Sequence, residues 1–242
     1  DGTLWAWGYN SNGSLGQNNT ILKSSPVQVG SLTDWLSITG GRYGTIAATK
    51  TDYTLWTWGA DSSYGALGQN TINTNKSSPV QVGALTNWLT VSAGTYHCLS
   101  IKTDGTLWSW GANYVGQLGD GTIVSKSSPI QVGALTNWLK ISAGRYHNSA
   151  VKTDGTLWVW GENSRGQLGL GNTTYYSSPK QVGALTTWYR IAAFQNASAI
   201  KTDGTLWSWG WNNYGQLGLG NTTSYSSPVQ VGSLTNWLNI FF

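Results

Sequence analysis

Between residues 147 and 152, HNSAVK sets small or apolar side chains at alternate positions, and HCLSIK repeats the pattern earlier in the chain. A period of two over this length predicts half-buried β-strands. A second run, T-L-W-x-W-G, follows each time. Its two tryptophans stand two apart, and side chains i and i+2 of a strand point to one side. Asp-Gly lies between the runs and predicts a two-residue type I′ hairpin turn. The stretch after Trp138 then reads as four strands. Strand a is LKIS (139–142), strand b is HNSAVK (147–152), strand c is TLWVWG (156–161) and strand d is PKQV (179–182). The proline leading strand d suits the start of an edge strand. No stretch sustains a helical period.

This arrangement returns five times. The aspartate of D-x-T-L-W-x-W-G recurs at Asp1, Asp52, Asp104, Asp154 and Asp203. Every proline lies in S-S-P-x-Q-V-G: Pro26, Pro79, Pro129, Pro179 and Pro228. L-T-x-W supplies Trp35, Trp88, Trp138, Trp188 and Trp237. Ten of the 16 tryptophans belong to W-x-W pairs and five to L-T-x-W, so Trp211 alone stands off the repeat. A residue demanded by every repeat serves what every repeat needs, so the paired indoles are expected to fill the wedge between neighbouring sheets. Four short strands in ~50 residues with recurring Gly and aromatic motifs predict an all-β fold, a β-propeller of four-stranded blades. Residues 1–242 are expected to form a single propeller domain, with units starting at about 1, 52, 104, 154 and 203.

The run SAGRYHNSAVKTDGTLWVWGENSRGQLGLGN (142–172) resembles the regulator of chromosome condensation repeat in its bacterial and phage form, and the likeness extends over essentially the whole chain. The resemblance implies a propeller that is seven-bladed in known members, which would take roughly 350 residues at this period. It implies less about activity: the family includes a guanine-nucleotide exchange factor, an ultraviolet-B photoreceptor, secreted β-lactamase inhibitors and surface or virion proteins. Strands a, c and d occur five times here but strand b only four, and the absent one would precede Asp1. The chain ends LNIFF, where a strand a is expected. Two arrangements follow: a five-bladed ring closed by that strand, or part of a larger ring. The ring is favoured, its gap filled by an upstream segment or another chain, since unpaired strand edges are adhesive.

Antiparallel strands put a–b turns and c–d loops on one side of a blade and b–c turns and d–a crossings on the other. The second set is nearly uniform (KTDGT, VGALTNW). The first varies, from YNSNGSLGQNNTILK to WNNYGQLGLGNTTSY in the loops and from GRYG to FQN in the turns. Variable loops on a rigid scaffold are where recognition concentrates. Tyr9, Tyr64, Tyr96, Tyr114, Tyr146, Arg165, Tyr175, Tyr176, Trp211 and Tyr214 are the candidate ligand-binding residues, with Trp211 foremost. Such side chains give large contact area at low ordering cost.

Composition narrows the classes. Charged residues are only 9% of the chain and the net charge is +4. The lysines are scattered, so no basic tract supports nucleic-acid binding. No run is apolar enough to span a membrane as a helix. Cys98 is the only cysteine, and it reads as a small buried residue. His97 and His147 share one repeat position with no carboxylate cluster nearby, so no metal, no cofactor and no catalytic residues are expected. The expectation is a non-enzymatic binding module, extracellular, on a cell surface or in a virion, with a protein or cell-surface glycan as partner. A structural domain of a larger assembly is the alternative. Nucleotide exchange is disfavoured by the shortage of acids outside the turns. Light sensing is disfavoured because no Trp–Arg cluster is visible among four arginines.

Overall fold

The computed structural model describes residues 1–240, which are all β. β1 (Trp5–Gly8) and β2 (Lys23–Gln28) form a two-stranded sheet. Four antiparallel four-stranded sheets follow, each in sequence order. The first contains β3 (Trp35–Gly40), β4 (Thr45–Lys50), β5 (Leu55–Gly59) and β6 (Lys76–Gln81). The second contains β7 (Trp88–Ala93), β8 (His97–Lys102), β9 (Leu107–Gly111) and β10 (Lys126–Gln131). The third contains β11 (Trp138–Ala143), β12 (His147–Lys152), β13 (Leu157–Gly161) and β14 (Tyr176–Gln181). The fourth contains β15 (Trp188–Ala193), β16 (Asn196–Lys201), β17 (Leu206–Gly210) and β18 (Tyr225–Gln230). These are the expected a-b-c-d blades.

The blades fall into two compact units. One holds Asp1–Ala112 with Ser125–Gln131, the other Asn113–Val124 with the chain from Val132 onward. In the first unit β3 and β4 pack on β7; in the second β11 and β12 pack on β15. Strand b is the buried element: β8 and β12 are buried along their whole length. Its small residues, such as Ala47, Cys98, Ala150 and Ala199, leave room for indoles.

Those indoles form one trio per blade. Trp88 meets Trp108 edge-on at 5.7 Å and Trp110 at 6.3 Å; Trp188 meets Trp207 at 6.2 Å and Trp209 at 6.1 Å. The second indole of each pair is sealed, with Trp58, Trp110, Trp160 and Trp209 at most 1% exposed. Each such burial is worth about 4–6 kcal/mol by area, before conformational cost. The expected packing role therefore holds in these four blades. In the two-stranded sheet of β1 and β2, Trp5 is 50% and Trp7 59% exposed.

The hairpin differs from the expected two-residue type I′ turn. Gly105 N–H bonds Lys102 C=O at 2.9 Å and Lys102 N–H bonds Thr106 C=O at 3.0 Å, and Gly105 takes a positive φ while Asp104 does not. This is a type I turn closed by a left-handed glycine. The aspartate stays outside the left-handed region because its carboxylate is engaged. Asp104 Oδ1 accepts from Thr106 N–H (3.0 Å) and Thr106 hydroxyl (2.7 Å), and Thr106 Oγ1 accepts from Trp108 Nε1 (2.9 Å). Asp52, Asp154 and Asp203 head the same relay. The threonine hydroxyl and amide hold these carboxyls below the ordinary aspartate range. Lys102 closes the motif, its Nζ 3.6 Å from the Trp108 ring centre and 4.5 Å from that of Trp88.

Two smaller findings concern strand ends. Pro179 does not lead its strand but lies within β14, where pairing to β13 shifts register; this is the outermost strand, so its missing N–H costs no ladder bond. Residues 233–240 form no strand; the strand a expected at LNIFF includes Phe241 and Phe242, which lie outside the described residues.

Candidate functional site

The variable c–d loops are ordered from their roots. Asn163, fully buried, donates Nδ2 to the carbonyls of Asn172 (2.9 Å) and Thr174 (3.0 Å) and accepts Leu168 N–H at Oδ1 (2.9 Å). Asn10, Asn113 and Asn212 do the same in their loops. In the remaining loop Asp61 takes this place. A carboxylate cannot donate, and the loop answers by supplying donors: Leu67 N–H, Thr74 N–H and the Thr71 hydroxyl all bond Asp61. Burial still raises the Asp61 pKa, those three bonds opposing it.

The loop then docks on the following blade. Gln117 C=O accepts from Trp160 Nε1 at 3.0 Å, Gln167 C=O from Trp209 Nε1 at 3.0 Å, and Ala66 C=O from Trp110 Nε1 at 3.0 Å. The glycine ending G-Q-L-G is what permits this approach: a Cβ on Gly119 would lie 2.8 Å from Trp160 Nε1. The glycine run therefore seats an indole.

At the tips, a–b turns and c–d loops meet, as the antiparallel order requires. In the first unit Tyr96 stacks on Tyr43 at 4.8 Å and touches Tyr64 at 6.0 Å. Tyr9, 76% exposed, stands beside Arg42 and Tyr43 at the lip of a recess of about 720 Å³ that also exposes Trp5, Trp7 and Ile38. In the second unit Tyr114 meets Tyr146 at 5.7 Å, and Arg145 lies 5.1 Å from the Tyr146 ring centre. Trp211 meets Tyr214 edge-on at 5.3 Å, and the Arg165 guanidinium lies 5.0 Å from the Trp211 ring centre. Tyr214 is 83% exposed.

Eight of the ten candidate residues thus join aromatic or cationic tip clusters. Tyr175 and Tyr176 do not: Tyr176 opens β14, its hydroxyl taking a bond from Asn172 Nδ2 at 3.3 Å, and neither ring reaches the tip aromatics. One tryptophan–arginine contact at the tips is not visible in the sequence, that of Arg165 with Trp211. Arg165 and Trp211 belong to successive c–d loops and meet only because the two loops fold side by side. Sequence reasoning also missed Arg145, Phe194 and Gln195, which line a recess with Arg165 and Trp211. Their signal was the variability of the a–b turns from which they come. Among the described residues no group of three His, Cys, Asp or Glu could hold a metal ion, and no helix is long and apolar enough to cross a membrane.

The description RCC1-like domain matches residues 1–241. The chain belongs to the RCC1-like family. Human E3 ubiquitin-protein ligase HERC2 is 32% identical over 126 residues, which is 50% of this chain and 2% of that one. The ultraviolet-B receptor UVR8 of Arabidopsis thaliana is 30% identical over 120 residues, 48% of this chain and 27% of the receptor. Two solved structures superpose at a TM-score of 0.84 and 20% identity: human WBSCR16, and yeast RCC1 (Prp20) bound to Kap60. Each superposition covers 96% of this chain but 63% and 57% of those chains. The chain therefore spans about 60% of these structures and a small part of the curated relatives it matches. It is an RCC1-like β-propeller, of a family of protein-interaction modules.

Proposed function

We propose that this chain is a non-enzymatic binding module whose a–b turns and c–d loops grip a protein partner. One observation carries the reading. The tip carries exposed aromatics and paired arginines on loops whose roots are internally satisfied, so the tip residues serve no evident need of the scaffold. Trp, Tyr and Arg are also the side chains that dominate interface energetics. A yeast relative in the family is described as bound to Kap60, and another account of it concerns binding to Gsp1p and histones, which supports a protein as the class of partner. The low content of charged residues supports an extracellular, cell-surface or virion setting, which labelling of intact cells or particles with antibody to the loops would test.

The experiment compares partners captured by the native chain with those captured by a Trp211→Ala/Tyr214→Ala variant. Loss of an anchoring aromatic pair is expected to weaken a true partner at least about thirtyfold. A control variant on the crossing segment, Leu185→Ser, should keep the partner. Equal retention by the loop variant would refute the reading. Retention of a glycan in place of a protein would move the partner to the carbohydrate class.

A further inference from the structure

We propose that the recess between Arg145, Arg165 and Trp211 is a carboxylate-binding site that takes an aspartate or glutamate side chain of the partner. This rests on the reading of the loops as the partner surface and specifies its chemistry. Arg145, His147, Glu162, Arg165, Phe194 and Trp211 are among the residues lining the recess.

Two features point to an anion. First, two donors at the site lack acceptors. Arg145 Nε and Trp211 Nε1 are buried and have no hydrogen-bond partner. Buried donors left empty are costly, so a ligand that accepts from them is favoured beyond its contacts alone. Second, the cations lack counter-charges. The one ion pair among the described residues is Lys50–Asp34, so neither Arg145 nor Arg165 has a carboxylate oxygen within 4.0 Å. Glu162 shares the rim, but its Oε1 takes the Ser164 hydroxyl at 2.8 Å. The lining thus carries two guanidiniums against one carboxylate.

The arginines are also oriented for the task. Each guanidinium lies near an aromatic ring, Arg165 by Trp211 and Arg145 by Tyr146. An aromatic neighbour steadies the planar group, and the guanidinium fork matches a carboxylate bidentately. Size selects among carboxylates. The recess holds about 80 Å³, and a water molecule takes about 30 Å³. That is room for a carboxylate on a slender methylene stem. Phe194, 40% exposed, lines the recess and would cover the stem.

The test follows the indole N–H signal of Trp211 in the ¹⁵N-labelled chain, assigned with Trp211→Phe. Hexaglutamate, hexaglutamine and an oligoglucuronate are titrated in parallel. The signal is expected to move with hexaglutamate and not with hexaglutamine. Arg165→Gln and Arg145→Gln should each weaken hexaglutamate about tenfold or more, and Glu162→Gln, which removes a like charge, should tighten it. Arg165 is exposed, so its variant keeps the test valid if Arg145→Gln folds poorly. An equal response to hexaglutamine, or unchanged affinity in both arginine variants, overturns the proposal. A response to oligoglucuronate alone also overturns it and gives the site to an acidic glycan. If hexaglutamate fails while the partner is still lost on Trp211→Ala/Tyr214→Ala, the carboxylate assignment falls and the loop reading stands.

Discussion

Replacing Asn163 by alanine tests whether one buried amide organises its variable loop. The substitution strips Leu168, itself fully buried, of the acceptor for its amide, and removes the donor shared by the carbonyls of Asn172 and Thr174. An orphaned buried N–H costs about 1–3 kcal/mol, and each carbonyl bond contributes about 1 kcal/mol less when water can replace it. The expected loss is therefore about 3–4 kcal/mol. At about 2–4 °C per kcal/mol for a chain of this size, the melting transition should fall roughly 6–15 °C by calorimetry. The same loop supplies the Gln167 carbonyl to Trp209, so the fluorescence of that buried indole should also change. Asn163→Asp sharpens the test. It retains an acceptor for Leu168 but sets a carboxylate against two carbonyls, without the Thr71 and Thr74 donors that satisfy Asp61. That carboxyl should have a folded pKa above its unfolded value, so the variant should be weak at neutral pH and recover as pH falls through the folded pKa. An alanine variant within about 1 kcal/mol of the native chain, or an aspartate variant fully stable at pH 7, would refute the argument.

Tyr53 holds a left-handed φ of 61° where the corresponding hairpins have glycine, so Tyr53→Gly should stabilise the chain by about 0.5–1 kcal/mol in urea unfolding. Asp52, Asp104 and Asp154 have lowered pKa values through their threonine bonds; their contribution is present above the ordinary aspartate pKa and is lost as pH falls through the lower folded values. Thr→Val at Thr54, Thr106 and Thr156 should flatten that acid slope. Asp61 has the opposite sign: its folded pKa is raised, so its contribution weakens as pH climbs through that value, and Asp61→Asn should abolish this component. The Cys98 thiol, buried and pushed up to about 12, should resist a thiol reagent at pH 8 and react at the rate of unfolding; rapid labelling of native protein would contradict its burial.

Much of this architecture is legible in the residues. Spacing alone assigns the W-x-W pairs to sheet packing, and alternation alone locates strand b. What escaped depends on atoms meeting across the repeat. Nothing in D-G-T-L-W says that the aspartate caps the threonine and the threonine receives the indole, and that relay turns the hairpin away from type I′. Lys102 and its equivalents recur visibly, yet only coordinates seat them on tryptophan faces. The tip surface was legible as a location but not as a chemistry. Arg145 comes from a turn of one blade, Arg165 from its loop and Trp211 from the next loop, and no linear pattern relates the three.

The buried amide at the base of four of the five loops separates two kinds of change. Substitutions above it alter what the rim touches; substitutions at it alter whether the rim has a shape at all. Lineages that diversify such a chain, or a designer who grafts new tips onto it, can therefore exchange the outer residues as self-contained cassettes while the indole-packed blades beneath go on folding as before.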